Sequence, residues 1–208
     1  RSLFDYLAAN PDEAATFAGA MVCVTRLETP ALVRGYEWGA HTRVCDVGGG
    51  RGFLLGAVLA AHPRLDGILF DEADVVAGAR EVLDSFGAGS RATIAAGSFF
   101  DAVPSGCDLY VLKEILHDWD DERAARILAT VRRAMAPGAR LAVIEMVLVD
   151  DERMHPAKLV DLQMMTATHR GRQRTREEFA TLFAANGLRL LRVVELATLS
   201  SIVEAIAV

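Results

Sequence analysis

The sequence has 208 residues, of which 52% are hydrophobic and 24% charged, and its net charge is −6. This length suits one domain, and the hydrophobic content excludes a disordered chain. The acidic balance argues against a nucleic-acid partner, and no apolar run approaches the roughly 20 residues of a membrane span. Cys23, Cys45 and Cys107 lack metal-ligand spacing and no signal peptide is visible, so we expect a cytoplasmic protein with reduced thiols.

Residues 1–40 carry apolar side chains at helical spacing, which predicts a helical lead-in of one or two helices, the second beginning at Asn10 and Pro11. Whether these helices cover the following domain or lead out of another one stays open. Residues 41–208 repeat a short apolar run, a turn and a helical stretch. That alternation predicts an α/β domain with a mainly parallel sheet.

Seven apolar runs predict the strands of this sheet, at residues 42–47, 67–71, 91–96, 108–112, 141–149, 190–196 and 201–208. Helices are predicted at residues 52–62, 74–86 and 124–135, and a further one opens with the capping-box pattern Thr175–Glu178. The junction before the last run is about four residues long, too short for a parallel crossover, so we expect that strand to be antiparallel. The predicted fold is Rossmann-like and doubly wound, with seven strands.

A glycine-rich loop, Asp46-Val47-Gly48-Gly49-Gly50-Arg51-Gly52, follows the first predicted strand, where such sheets bind ligands. The dinucleotide fingerprint would place a glycine at position 53, where Phe53 stands. A carboxylate just before the glycines repels a diphosphate and suits a ligand with a cationic amino group. The loop therefore favours S-adenosylmethionine, with a nicotinamide dinucleotide as the weaker alternative.

Asp71 ends the second predicted strand, on the same edge of the sheet. A carboxylate at that place can accept hydrogen bonds from both hydroxyls of a ribose. The alternative is that Asp71 caps the following helix, but Asp74 is better placed for that cap.

The segment Lys113–Glu122 follows the fourth predicted strand and so overhangs the same crevice. An imidazole at position 117, whose usual pKa is ~6.5, can take a proton from an acidic hydroxyl near neutral pH. In the other interpretation His117 is structural, Asp118 or Asp120 caps the next helix, and Trp119 packs against that helix.

The chain resembles the plant caffeate- and flavonoid-type O-methyltransferases and their bacterial relatives in natural-product pathways, from Phe4 onward. The resemblance lies chiefly in Asp46–Gly50, Leu116–Trp119 and Gly171–Thr175. It implies that residues 41–208 form an S-adenosylmethionine-dependent O-methyltransferase domain without a metal, acting on a small aromatic or polyketide hydroxyl. It also implies a homodimer built through an N-terminal helical domain that closes the acceptor pocket, and we expect that domain to be missing from this sequence.

The same resemblance implies the site residues. His117 would be the general base, flanked by Glu145 at the end of the fifth predicted strand and by Gln173. Cofactor contacts would come from Asp46, Gly48, Gly50, Asp71, Glu72, Ser98, Phe99 and Lys113. Acceptor contacts would come from Asp118, Trp119, Met164, Met165 and Thr168, although either methionine could be ordinary core filling.

Two departures from the family pattern keep other functions open. Ser98 stands where the family has an aspartate that bonds the adenine, and Gln173 stands where it has a glutamate. An amide can orient an imidazole but does not stabilise its cation. The chain could therefore bind S-adenosylmethionine while hydroxylating or decarboxylating a polyketide, or it could be a non-catalytic subunit of a heteromer.

The stretch His169–Arg176 is locally basic in an acidic protein. It predicts a solvated loop, or else a rim that attracts an acidic acceptor.

Overall fold

The structure is a computed structural model that describes residues 3–149, 151–152, 154–168 and 170–208, without the side chains of residues 4, 5 and 8. Two helices come first, α1 (Leu3–Ala9) and α2 (Pro11–Gly35), so the predicted helix start at Asn10 and Pro11 is confirmed. Within the described ranges, no helix combines the length and the apolar character needed to cross a lipid bilayer.

Strands and helices then alternate along the chain. The strands are β1 (Arg43–Val47), β2 (Asp66–Asp71), β3 (Ala92–Ala96), β4 (Leu109–Lys113), β5 (Arg140–Glu145), β6 (Val147–Leu148), β7 (Arg174–Thr175), β8 (Leu188–Glu195) and β9 (Ser201–Ala207). The later helices are α3 (Phe53–Ala61), α4 (Ala79–Ser85), α5 (Asp121–Ala134), α6 (Pro156–Ala167) and α7 (Arg176–Ala184). Single 3-10 turns lie at Trp38–Ala40, Gly89–Arg91 and Leu116–Asp118.

Seven of these strands form one sheet in the order β3-β2-β1-β4-β5-β9-β8. Strand β9 runs antiparallel to both β5 and β8, and the other pairings are parallel. The predicted Rossmann-like fold with an antiparallel last strand is therefore confirmed. Because the first five strands run in one direction, their carboxyl ends meet at one edge of the sheet, which brings the loops after β1, β2, β3, β4 and β5 together.

The sheet is buried on both faces. In β4, Leu109 and Val111 pack in the apolar cluster that contains α3, whereas Tyr110 and Leu112 pack in the cluster that contains α5 and α7. This two-sided burial accounts for the unbroken apolar run of that strand, because no face of it meets water.

Two predicted elements were wrong in extent. The run at 141–149 is interrupted, because β5 ends at Glu145 and β6 pairs instead with β7 in a separate two-stranded sheet. The helix predicted from residue 74 begins only at Ala79, after Gly78 with φ of +82°. Asp74 accepts a hydrogen bond from the amide of Val75, 3.1 Å away, so it does not cap α4.

Two predicted helix caps are present. The side chain of Asp120, rather than that of Asp118, caps α5 by accepting a hydrogen bond from the amide of Arg123. Thr175 and Glu178 form the reciprocal capping box that opens α7. Asp118 is therefore available for another role beside His117.

Candidate functional site

The glycine loop places backbone without side chains at the carboxyl edge of the sheet. Gly48, Gly50 and Gly52 have φ of +71°, +60° and +80°, a region that side chains other than glycine rarely adopt. A Cβ on Gly48 would lie 2.5 Å from Cδ1 of Ile115, whereas one on Gly50 would meet nothing within 4 Å. The loop thus packs tightly against the segment after β4 and leaves open space over Gly50.

Asp71 links the glycine loop to the end of β2 through hydrogen bonds. Its Oδ2 accepts from the amide of Gly50 at 2.8 Å, and its Oδ1 accepts from the amide of Glu72 at 2.7 Å. It therefore does not cap α4, and each oxygen keeps capacity for one further donor. The neighbouring Glu72 side chain is exposed.

Asp46 lies beneath the loop, where a Cβ on Gly49 would come within 2.7 Å of its Oδ2. Its Oδ2 has no hydrogen-bond partner among the described residues. Burial, with the charge of Asp71, raises the pKa of Asp46 to about 7, and Lys113 opposes this shift. A buried carboxylate of this kind is stabilised by a nearby cation.

Lys113 is held between two carboxylates at the end of β4. Its Nζ lies 3.0 Å from Oε2 of Glu28 and 2.8 Å from Oε2 of Glu114. Glu28 reaches in from α2, and its Oε1 accepts from the hydroxyls of Ser200 at 2.6 Å and Thr198 at 3.2 Å. Sequence reasoning missed Glu28, for which the available signal is an acidic residue among apolar positions of a helix.

The segment 116–118 forms the 3-10 turn that carries His117. The backbone amide of His117 donates to Oε1 of Glu145 at 3.0 Å, and Oε2 of Glu145 has no partner among the described residues. Glu145 therefore flanks His117 by holding the backbone of the turn, and its hydrogen bond goes to the amide and not to the imidazole ring. Burial raises the pKa of Glu145 and lowers that of His117, and the charge of Glu145 partly opposes the shift in His117.

The two ring nitrogens of His117 have different neighbours. Nδ1 lies 2.8 Å from Nε2 of Gln173, and Nε2 lies 3.6 Å from Oδ1 of Asp118. Gln173 is fully buried, and its Oε1 has no partner within the described part of the chain. In this orientation the amide donates to Nδ1, while a half-turn of the amide would place its oxygen on an Nδ1–H and leave Nε2 with its lone pair.

Asp118 sits in the same low-dielectric surroundings. Burial, with the charges of Glu145 and Glu114, raises its pKa to about 8. These surroundings therefore favour the neutral form of the carboxyl group next to the imidazole.

Aromatic side chains pack beside the glycine loop. Phe99 and Phe100 stack edge to face at 4.9 Å, and Trp119 meets them at 6.3 and 4.9 Å. Phe99 also approaches Gly48, and the hydroxyl of Ser98 accepts from the amide of Phe100 at 3.3 Å. The structure thus brings Ser98, Phe99 and Trp119 to the same edge as the loop.

The two candidate methionines lie on different faces of helix α6. Met164 is buried and Met165 is 51% exposed, so only Met164 faces the interior of this chain. The hydroxyl of Thr168 donates to the carbonyl of Met164 at 2.8 Å and accepts from the amide of Gly171 at 3.1 Å. The hydroxyl of Thr168 therefore links the end of α6 to Gly171, and its proton is engaged by the carbonyl of Met164.

The basic stretch is solvated only in part, since Arg170 and Arg176 are exposed. Arg174 is fully buried, and Arg172 pairs with Glu178 and, at 3.5 Å, with Asp121. His169 lies outside the described residues. Sequence reasoning misplaced Arg174 because an arginine in a basic run has the same pattern whether it faces water or carbonyl oxygens.

No three His, Cys, Asp or Glu side chains gather as metal ligands in the described ranges.

The sheet order, its reversed strand β9 and the glycine loop at the carboxyl edge define a class I methyltransferase fold. The model of the O-methyltransferase domain family matches residues 1–189, and the chain belongs to this family.

Individual relatives agree with this assignment. The chain is 41% identical over 194 residues to O-demethylpuromycin-O-methyltransferase of Streptomyces alboniger, covering 91% of this chain and 52% of that protein. An O-methyltransferase of neocarzinostatin biosynthesis, solved with S-adenosylmethionine and 2-hydroxy-5-methyl naphthoic acid, superposes with a TM-score of 0.90 at 34% identity, over 100% of this chain and 62% of that one.

A further relative is named for a different reaction. The chain is 35% identical over 192 residues to aclacinomycin 10-hydroxylase of Streptomyces purpurascens, covering 91% of this chain and 51% of that protein. The chain thus spans about half to three-fifths of the length of the relatives that it matches.

Proposed function

We propose that this chain is the catalytic domain of an enzyme that transfers a methyl group from S-adenosylmethionine to a phenolic hydroxyl of a small aromatic or polyketide natural product. The observation that carries the proposal is the largely enclosed imidazole of His117, 12% exposed, which Glu145 and Gln173 hold at the same edge of the sheet as the glycine loop. The relatives named for puromycin and neocarzinostatin biosynthesis support the reaction and the aromatic acceptor.

The residues of the crevice fit S-adenosylmethionine, whose sulfonium and amino groups are cationic. Asp46 offers an unpartnered carboxylate oxygen, Asp71 has remaining acceptor capacity, and Gly50 is bare towards open space. We propose that Asp46, Gly48, Gly50, Asp71 and Phe99 hold the cofactor, with Ser98 near its adenine and Lys113 balancing the charge around Asp46. When bound, the cofactor supplies an electrophilic methyl group, and the reaction needs no metal.

His117 would act as the general base through Nε2. Its lowered pKa keeps the imidazole neutral near pH 7, ready to accept the proton of the acceptor hydroxyl. For Nε2 to accept, Nδ1 must carry the other proton and donate it to Gln173, which requires the amide oxygen to face the ring. The imidazolium that forms would then lie near the charge of Glu145. A phenol, with a pKa near 10 like that of tyrosine, gives up its proton more readily than an alkyl alcohol.

Replacement of His117 tests this assignment. We expect His117→Gln to lower methyl transfer by at least about 100-fold while S-adenosylmethionine binds within about threefold of wild type. Transfer is measured as S-adenosylhomocysteine and methyl ether formed from a panel of hydroxynaphthoates and phenolic polyketides, and cofactor binding by calorimetry. His62→Gln, at the far end of α3, is the matched control. Unchanged turnover in His117→Gln would remove His117 from the reaction.

A second candidate function rests on the hydroxylase relative and on Ser98 and Gln173. In that case the chain would bind S-adenosylmethionine and hydroxylate or decarboxylate a polyketide, without forming S-adenosylhomocysteine. A non-catalytic subunit of a heteromer would be indicated instead if calorimetry detected no cofactor binding. The same assay therefore separates the three possibilities.

A further inference from the structure

Arg174 is a buried cation whose hydrogen bonds converge on the turn that carries His117. Nη1 donates to the carbonyl of Leu116 at 2.8 Å, and Nη2 donates to that of Trp119 at 3.0 Å. Nε and Nη2 also donate to Oδ1 of Asp121 at 3.0 and 2.8 Å. With its side chain only 1% exposed, the guanidinium has exchanged water for these partners.

The acceptors lie on both sides of His117 along the chain. Leu116 precedes it, and Trp119 and Asp121 lead into α5. Glu145 accepts from the amide of His117 itself. The turn is therefore held by a buried cation at its carbonyls and by a buried anion at its amide.

The segment that carries Arg174 also lies directly against the turn. A Cβ on Gly171 would come within 2.2 Å of the carbonyl oxygen of His117, so only a glycine allows this approach. Gln173, next to Arg174 in the chain, contacts Nδ1 of His117. Fixing Arg174 thus fixes both the backbone under His117 and the amide beside its ring.

We propose that Arg174 is a positioning residue that sets the orientation of His117, acting through the backbone of residues 116–119 and through Gln173. The inference rests on the proposed function of His117 as the base. It assigns to an arginine of the basic stretch a role in catalysis rather than in attracting the acceptor.

Turnover and cofactor binding of Arg174 variants form the first test. We expect Arg174→Met to lower kcat about 100-fold, because a misplacement of about 1 Å costs that much, while the Kd for S-adenosylmethionine stays within about threefold. Arg174→Lys, which keeps a charge but not the planar fork, is expected to lose about tenfold. Rates are divided by the concentration of cofactor-binding sites, so an unfolded fraction does not count. Arg176→Met, at an arginine that is 57% exposed, is the control and should match wild type.

The second test needs no turnover. With ¹⁵N-labelled histidine at about pH 8, His117 is neutral, and its ring nitrogens report which one carries the proton. We expect one tautomer in the wild type and averaged ring signals in Arg174→Met, with faster amide exchange at residues 116–119. If Arg174→Met does not fold, Arg174→Lys is read in the same way.

The proposal is overturned if folded Arg174 variants keep the wild-type kcat per site, ring signals and exchange. If the wild type forms no methylated product while the variants change the ring signals, the proposed function fails and the positioning role stands.

Discussion

Gln173 places a neutral amide against the ring of His117, and this side chain affects the pH range over which the proposed base is neutral. Burial already lowers the pKa of His117, and an amide at 2.8 Å from Nδ1 adds no charge that would favour the imidazolium. The lowered pKa of His117 therefore favours the neutral imidazole, and its protonated form is less stabilised than it would be beside a second carboxylate.

We expect Gln173→Glu to raise the pKa of His117, because a carboxylate on Nδ1 favours the imidazolium. Since the base must be neutral to accept a proton, the acidic limb of kcat against pH should move to higher pH. A histidine ¹⁵N titration gives the same pKa directly. Gln163→Glu makes the same charge change on the exposed face of α6 and should leave the limb in place. An acidic limb of the kcat profile that is unchanged or moves to lower pH in Gln173→Glu would contradict this account.

At the scale of elements, α2 packs against the sheet and reaches its carboxyl edge. Leu32 is fully buried in the cluster that contains α3, and Glu28 pairs with Lys113 at the end of β4. We therefore propose that the second half of α2 belongs to the same folding unit as residues 41–208, although its first turns are exposed.

The strength of the pairing between Glu28 and Lys113 can be measured. We expect Glu28→Gln to lower the free energy of unfolding by about 3 kcal/mol, because it removes one partner of a buried charge pair. Urea denaturation followed by circular dichroism gives the value. Glu13→Gln, in the exposed first turn of the same helix, should change it by less than about 0.5 kcal/mol. If both substitutions changed the free energy of unfolding equally, the ion pair between Glu28 and Lys113 would contribute nothing to stability.

For the whole molecule, the carboxyl edge of the sheet is an acidic crevice in an acidic protein. Asp46, Asp71, Glu114 and Glu145 all lie at this edge, where Lys113 pairs with Glu114, and burial raises the pKa of Asp46, Asp71 and Glu145. Such a crevice favours a cationic ligand, since that ligand stabilises the ionised carboxylates.

Cofactor affinity should therefore depend on pH. With the pKa of Asp46 at about 7, its ionised fraction rises between about pH 6 and 7.5, and the Kd for S-adenosylmethionine should fall over that range. We expect Asp46→Asn to bind more weakly and with a flatter pH dependence, as measured by calorimetry. Asp66→Asn, at the exposed opposite end of β2, is the control. A wild-type Kd that is constant or rises over this range would count against Asp46 as an ionised contact.

Although it did not predict α6 or the small sheet of β6 and β7, the sequence alone was enough to predict the seven strands of the main sheet, its parallel core, the reversed last strand and the glycine loop at the carboxyl edge. These follow from local patterns: β4 is apolar throughout because both of its faces are covered, and the loop at Gly48–Gly52 needs glycines for its backbone. His117 could be placed at the crevice because the carboxyl ends of parallel strands meet at one edge.

Only the tertiary structure decided which charged residues and which of the two methionines are buried, and where β5 ends. It ended β5 at Glu145, turned Met164 inward and Met165 outward, and buried Glu28 and Arg174. Charged side chains have the same local pattern whether they face water or a buried partner distant in the chain. Their burial depends on hydrogen bonds between residues far apart in sequence, such as Arg174 with Leu116 or Glu28 with Ser200, and no local pattern contains those distances.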